Sequence, residues 1–375
     1  LTNGIAVSAE TETMRVRDLG IAPGILPPGE LNAITDVAGV RVGHRTRIEG
    51  EGIRTGVTAI LAHGGNVFQQ KVPAAVHTAN GFGKASGFEQ VRELGNLEAP
   101  ILLTNTLDVG TALSAGVQWV PRQPDNEEVR SVNVVVGETN DGYLNDIRGQ
   151  HVSEADVFAA IDSAQPGPVA EGNVGAGTGT RALGWKGGIG TASRALPESL
   201  GGWTVGVLVQ ANFGGVLTID GLKVGQTLGR HDFREQLDGQ PETERDPEDG
   251  SIMIVIATDA PLGSRNLERL AKRAPLGIAR TGGYMSNGSG DFVIAFSTAG
   301  RVRYVDPEAV RPHLRLDNDR MSALMLAVVE ATEESIYNAL VAAEDMTGVE
   351  GHTTQALPLD TLREMAARRA RAGLE

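Results

Sequence analysis

A serine stands at the head of an apolar run, Ser251-Ile252-Met253-Ile254-Val255-Ile256-Ala257, directly after glycine and a long acidic stretch that ends at Asp249-Gly250. A serine at the first position of a core strand, preceded by glycine and a polar loop, is where a self-cleaving hydrolase needs its nucleophile. Cleavage before Ser251 would place its hydroxyl and a newly freed α-amine on one residue. That amine, with an ordinary pKa of roughly 7.7 to 8.0, can act as the base that activates the hydroxyl. Glycine on the acyl side permits the close backbone approach that attack on its own carbonyl requires. Taken singly the dipeptide is a turn signal, and it recurs at Gly263-Ser264 and Gly288-Ser289.

Three further segments place polar groups beside apolar strands. Val134 to Tyr143 carries Glu138 and Asn140 just past a β-branched run, Leu208 to Gly214 carries Asn212, and Asn287-Gly288-Ser289-Gly290-Asp291 precedes another run. Ser289 and Asp291 are two apart, so in extended geometry their side chains share one side. Each segment alone also reads as a turn, with Glu138 capping the bend through Asp141 and Gly142. The glycine-rich Gly172 to Thr180 follows a helix and Gln165-Pro166-Gly167-Pro168 rather than a strand, and no Gly-Lys-Ser/Thr follows it. Close backbone packing near a substrate therefore suits it better than nucleotide binding. The seven histidines are dispersed without His-Glu-x-x-His spacing, no Gly-x-Ser-x-Gly elbow marks a conventional triad, and no metal or cofactor is expected.

The elements that must position these groups follow from periodicity. Strands are expected at Gly39 to Gly43, Gly56 to Leu61, Pro100 to Leu103, Ser131 to Val136, Trp203 to Gln210, Ser251 to Thr258 and Asp291 to Ser297. Several are apolar on both faces, which implies a sheet covered by layers on both sides. Helices are expected at Ser153 to Ala164, Ser264 to Ala274, Ser322 to Asp345 and Thr361 to Ala370, with capping boxes at Ser153/Asp156 and Thr361/Glu364. Gly229 to Gly250 reads as a solvated loop at two thirds of the chain.

A chain of 375 residues fits one large α/β domain or two intimately packed ones. Its net charge of −14 argues against a nucleic-acid partner. No apolar segment is long enough to span a bilayer, and the first ten residues lack the layout of a secretory signal, so the expected location is the cytoplasm. The absence of cysteine removes disulfides, thiolate metal sites and a cysteine nucleophile together.

Together the segments resemble the family of self-cleaving serine aminopeptidases that includes the DmpA-type L-aminopeptidase/D-amidase-esterases and the bacterial β-aminopeptidases. The resemblance runs through Ile34 to His44, Asn80-Gly81-Phe82-Gly83, Leu103-Thr104-Asn105-Thr106, Gly137 to Gly142, Gly172 to Thr180, Gln210 to Gly214 and Asp249-Gly250-Ser251. It implies a four-layer αββα sandwich, Ntn-hydrolase-like, cut at Gly250/Ser251 into residues 1–250 and 251–375, which stay associated. It further implies Ser251 as nucleophile, Asn212 as oxyanion donor, Ser289 and Asp291 as a relay beside the new amine, Glu138 as acceptor of the substrate's ammonium, and Tyr143 lining the pocket. Asp291 departs from the glutamate of the β-aminopeptidases. The implied substrates are short peptides, amides or esters with a free amine, and the implied assembly is a homo-oligomer, a tetramer in the family. An acyltransferase of the ornithine acetyltransferase type is similar in fold but uses threonine, so the serine argues against it. A metabolite-binding protein with an inert Gly-Ser junction is the alternative outside enzymes.

Overall fold

The computed structural model describes residues 13–239, 250–305, 308, 310 and 312–371. Residues 1–12 and 240–249, the latter including Asp249 and the second half of the acidic stretch, lie outside the described residues. Strands of five or more residues are β1 (Arg41–Glu49), β2 (Ile53–Leu61), β3 (Gln70–Gly81), β4 (Ile101–Asn105), β5 (Val135–Thr139), β6 (Gly188–Ala195), β7 (Thr204–Asn212), β8 (Ser251–Thr258) and β9 (Gly290–Ser297). Helices of seven or more are α1 (Phe88–Leu94), α2 (Val109–Trp119), α3 (Glu154–Asp162), α4 (Ser264–Ala271), α5 (Ala274–Arg280), α6 (Ser322–Val341) and α7 (Leu359–Arg371).

Two sheets stack face to face. One has the order β1-β2-β4-β5 and the other β3-β9-β8-β7-β6, with the β8/β9 pair parallel and its remaining neighbours antiparallel. Every residue of β8 is buried. Because successive side chains of a strand point to opposite faces, Met253, Val255 and Ala257 enter the core between the sheets, with Ile60, Ile101, Leu103 and Val135 from the facing sheet. Ile252, Ile254 and Ile256 point the other way, into a core shared with Leu324, Ala327, Val328 and Leu340 of α6. On the far side of the first sheet, Val57, Ala59 and Val136 pack with Ala112 and Ala115 of α2 and Val157, Ala160 and Ile161 of α3. The layers are thus helix, sheet, sheet, helix, as expected, and they explain why these strands are apolar throughout.

The strand expected at Ser251 to Thr258 has those bounds, and Ser153 caps α3 through the Asp156 N–H with the reciprocal bond in place. Others shift. Pairing with β4 begins only at Val135, so residues 131–134 lead in as irregular backbone. Helix α7 starts at Leu359, which puts Thr361 inside it rather than at a capping box. The run expected as one helix from Ser264 to Ala274 is α4 followed by α5, with Pro275 at the start of the second. Within the expected loop after Gly229, Arg234–Leu237 forms one helical turn.

Two long strands carry no strong β signal. β3 contains Pro73, three alanines and Asn80, and β6 is Gly-Ile-Gly-Thr-Ala-Ser-Arg-Ala. Small residues in β6 let α6 lie directly on its backbone: a β-carbon on Gly190 would fall 2.0 Å from the Ser335 carbonyl oxygen. Among the described residues no helix is long and apolar enough to cross a membrane.

This contact makes Gly190 a stability determinant. Gly190→Ala should cost about 1–3 kcal/mol, the usual penalty for overpacking a tight interface. Gly110→Ala, in the first turn of α2 where a β-carbon meets nothing within 4 Å, should instead change stability by no more than about 0.5 kcal/mol. Urea denaturation of both variants against the parent checks the contrast.

Candidate active site

β8 opens at Ser251 between two partners that also end or begin there. Ser251 is in register with Asn212, the last residue of β7, and with Gly290, the first of β9. Three strand termini therefore meet at one end of the sheet, among its interior strands. Ladder pairing stops at this point, and polar side chains can face a recess rather than apolar core. Both Ser251 and Asn212 are nonetheless buried.

The peptide ahead of Ser251 is held as firmly. The Gly290 N–H donates to the Gly250 carbonyl at 3.3 Å. A β-carbon at residue 250 would lie 2.2 Å from Phe213 Cα and 2.4 Å from the Asn212 carbonyl oxygen, so only glycine fits. Asn212 itself is oriented by the backbone N–H of Arg181, which donates to Oδ1 at 2.9 Å. With the oxygen taken, the amide nitrogen is the end that can donate to a developing negative charge.

Ser289 Oγ donates to Asp291 Oδ1 at 2.7 Å, the same-side pairing that the two-residue spacing implies. Asp291 Oδ2 is buried and has no hydrogen-bond partner among the described residues. Burial pushes the Asp291 carboxyl up to about 6, against the opposing pull of the Ser289 hydrogen bond. Asn80 Nδ2 braces the approach to this pair, donating to the carbonyls of Ser286 at 2.9 Å and Ser289 at 2.5 Å.

Glu138, near the end of β5, is buried on the facing sheet. Its Oε1 accepts from the Lys84 backbone N–H at 2.9 Å, with the Lys84 ammonium 3.8 Å away. Burial raises its pKa above the ordinary carboxylate value, and the Lys84 contacts oppose the rise. The turn beyond is closed by Asn140, whose Oδ1 accepts from the Gly142 N–H at 2.9 Å, so Glu138 does not serve as its cap. A β-carbon on Gly83 would lie 3.0 Å from Glu138 Oε1 and 3.5 Å from Gly290 Cα. The carboxylate and the head of β9 thus share a space kept open by glycine.

A cleft of about 400 Å³ adjoins the junction, with Arg181, Asn212, Phe213, Asp232, Gly250 and Tyr284 among its walls. Neither Glu138 nor Tyr143 lines it. Tyr143 stacks on His352, ring centroids 4.6 Å apart, and the Arg181 guanidinium sits 3.7 Å over its ring, so it backs a wall residue of the cleft. The glycine-rich Gly172 to Thr180 packs by backbone: a β-carbon on Gly177 would meet the Ile189 nitrogen at 2.3 Å. Among the described residues, no three His, Asp or Glu side chains converge as a metal site would require. Lys84, Arg181 and Asn80 were not singled out by sequence reasoning. Asn80 lies in a recognisable segment, whereas the hydrogen bonds by which Arg181 and Lys84 hold Asn212 and Glu138 come from a backbone N–H that any residue carries.

Known proteins of one family resemble the chain along nearly its whole length. The model of peptidase family S58 matches residues 32–354. The chain is 43% identical over 378 residues to the beta-peptidyl aminopeptidase BapA of Sphingosinicella microcystinivorans, covering 96% of this chain and 93% of that protein. A Burkholderia sp. beta-aminopeptidase superposes with a TM-score of 0.86 at 44% identity, over 95% of this chain and 99% of that one. The L-aminopeptidase D-Ala-esterase/amidase of Ochrobactrum anthropi, described as a prototype for the serine aminopeptidases and a new variant among the Ntn hydrolase fold, gives 0.84 at 39% identity, again over 95% and 99%.

The Asp291 environment predicts a pH signature. An unfolded aspartate loses its proton near 3.8 and the folded one near 6. Between these values the folded state holds the extra proton, so this group's contribution falls as pH rises through the window and levels off above it. Asp291→Asn removes the titration. Read in a Ser251→Ala background, where no new α-amine arises beside Asp291, the stability difference should move in the variant's favour by on the order of 2 kcal/mol from pH 4 to pH 7, as measured by denaturant unfolding at the two pH values.

Proposed function

The chain belongs to peptidase family S58 and is a hydrolase of the aminopeptidase type, and on that premise we propose that Ser251 is its self-generated nucleophile. Family membership sets aside the non-catalytic alternative. The observation that carries the assignment is the register of Ser251 with Asn212, whose amide oxygen is already occupied by the Arg181 N–H.

In the uncut chain, Ser251 Oγ attacks the Gly250 carbonyl, which the Gly290 N–H polarises. The C–N bond breaks as the acyl group moves to Oγ and the hydroxyl proton passes to the departing nitrogen, and water then hydrolyses the ester to a Gly250 carboxylate, restoring the Ser251 hydroxyl beside its free α-amine. Two fragments, 1–250 and 251–375, result. Their association is supported by the strand order, in which β8 and β9 of the second fragment lie between β3 and β7 of the first.

In the cut enzyme the α-amine takes the proton from Ser251 Oγ as it attacks the substrate carbonyl. The Asn212 amide donates to the oxyanion, a role worth about 2.7–4 kcal/mol in a preorganised site. The amine then passes the proton to the leaving amine or alkoxide, and water, deprotonated by the same amine, releases the acyl group. Ser289 and Asp291, one hydrogen bond apart, are the polar pair assigned to orient the α-amine. Glu138 is assigned to the substrate's ammonium: burial raises its pKa in spite of the Lys84 and Thr106 contacts, and a substrate ammonium would add a second cation to this desolvated carboxylate. The substrates are accordingly short peptides, amides or esters with a free amine.

Two experiments test this. Ser251→Ala should run as a single uncut chain on a denaturing gel and hydrolyse nothing, whereas the parent runs as two fragments; an uncut variant with parental activity would sink the assignment. For Glu138, an alanine amide should be cleaved at least about 100-fold better than its N-acetyl form, because acetylation removes the charge that a desolvated carboxylate would pair with and adds bulk beside it. Glu138→Gln should narrow that ratio, and equal kcat/KM for the two substrates on the parent would remove Glu138 from the site.

A further inference from the structure

Lys186 is fully buried, and the mechanism above does not use it. It lies on a small hairpin in which Arg181–Ala182 pairs with Trp185–Lys186, and Lys186 stands directly opposite Arg181. The turn between them is tight, with Leu183 at φ 54° and Gly184 at φ 89°. The hairpin is docked on the end of β7 through two donors, the Arg181 N–H to Asn212 Oδ1 at 2.9 Å and the Leu183 N–H to the Phe213 carbonyl at 2.6 Å.

The Lys186 side chain folds back across the base of this hairpin. Its Nζ donates to the Gly177 carbonyl at 3.1 Å on the incoming side and to the Gly187 carbonyl at 2.8 Å on the outgoing side. The Gly187 N–H closes the same base onto the Thr180 carbonyl at 3.0 Å. We propose that Lys186 is a positioning residue for the oxyanion donor: by stapling Gly177 to Gly187 it fixes the Arg181 N–H, which in turn fixes which way the Asn212 amide points. The proposal rests on the assignment of Asn212 given above.

Structure alone would not demand a lysine here. A long amine in a fully buried position is costly, and burial pushes Lys186 down to about 7, with only the field of Asp141 acting to raise it. Two carbonyls can be satisfied by an amine in either protonation state, so the staple persists across neutral pH. What the lysine supplies is reach, from one strand of the hairpin to the carbonyls on both sides of its base.

A double-mutant cycle on kcat, with rates normalised to the cleaved fraction, tests the coupling. Lys186→Met should lower kcat about 10- to 100-fold with KM changed less than about twofold, the split expected when only transition-state stabilisation is lost. Asn212→Ala alone should lower kcat by about 10² to 10³. In the Asn212→Ala background, Lys186→Met should change kcat less than about twofold, because a misdirected amide that is already absent cannot be lost again. A merely structural lysine would lower thermal stability in both backgrounds and leave the cycle multiplicative. Lys186→Gln, which retains a donor, should recover part of kcat and is carried through the same cycle if Lys186→Met does not fold. Multiplicative effects, or an unchanged kcat in Lys186→Met, overturn the proposal while leaving Asn212 in place. An unchanged kcat in Asn212→Ala overturns the oxyanion assignment and this proposal with it.

Discussion

Strand β8 is hydrogen-bonded along its length to β7 on one side and β9 on the other, and it is buried on both faces. This double constraint sets the position of its first residue to within the tolerance of a sheet ladder. Catalytic geometry needs reacting atoms placed to within fractions of an ångström, and a strand with two neighbours provides that more reliably than a loop. Ser251, Asn212 and Gly290 come together because three such strands end at one level. The backbone ahead of Ser251 inherits the constraint, since Gly250 is wedged against Phe213 and Asn212 with no room for a side chain.

The fold buries charge in two different ways. Under α6, Arg194 is fully buried with its Nε 3.0 Å from Glu330 and a terminal nitrogen 2.9 Å from Glu334, and Arg17 adds a second cation to Glu334. These charges are paired and hydrogen-bonded, as buried charges must be, and they pin α6 to β6 and to the chain that precedes β1. Around β8 the polar groups are left short of partners instead. Asp291 has one oxygen without a hydrogen-bond partner among the described residues, and Glu138 sits in a desolvated recess where Lys84 and Thr106 only partly offset the burial. Unspent electrostatic capacity of this kind is what a binding and catalytic site holds ready for a substrate.

Glycine does comparable work in the backbone. Gly190 lets α6 rest on β6, Gly83 keeps open the space between Glu138 and the head of β9, and Gly177 lets its loop lie against the start of β6. Abundant glycine in the sequence is thus the mark of a densely layered protein with close backbone approaches.

By itself the sequence determined the pieces whose signal is local. β8 was legible residue for residue because its apolar run is bounded by Gly250 and Asp259, and α3 because Ser153 and Asp156 form a capping box. The two-residue spacing of Ser289 and Asp291 anticipates their pairing, although Ser289 sits in the turn one residue before β9. Tertiary structure decided the rest, because the determining contacts are far apart in the chain. β3 and β6 are strands through their neighbours, since Pro73, alanine and glycine give little β preference of their own. Thr361 could be read as a cap until Leu359 and Asp360 extended α7 past it. The orientation of Asn212 depends on the Arg181 N–H thirty-one residues earlier, and the setting of Glu138 on the Lys84 N–H fifty-four residues earlier. A backbone N–H is common to every residue but proline, so no residue type marks its role in advance, and only the folded chain shows which one is aimed at the site.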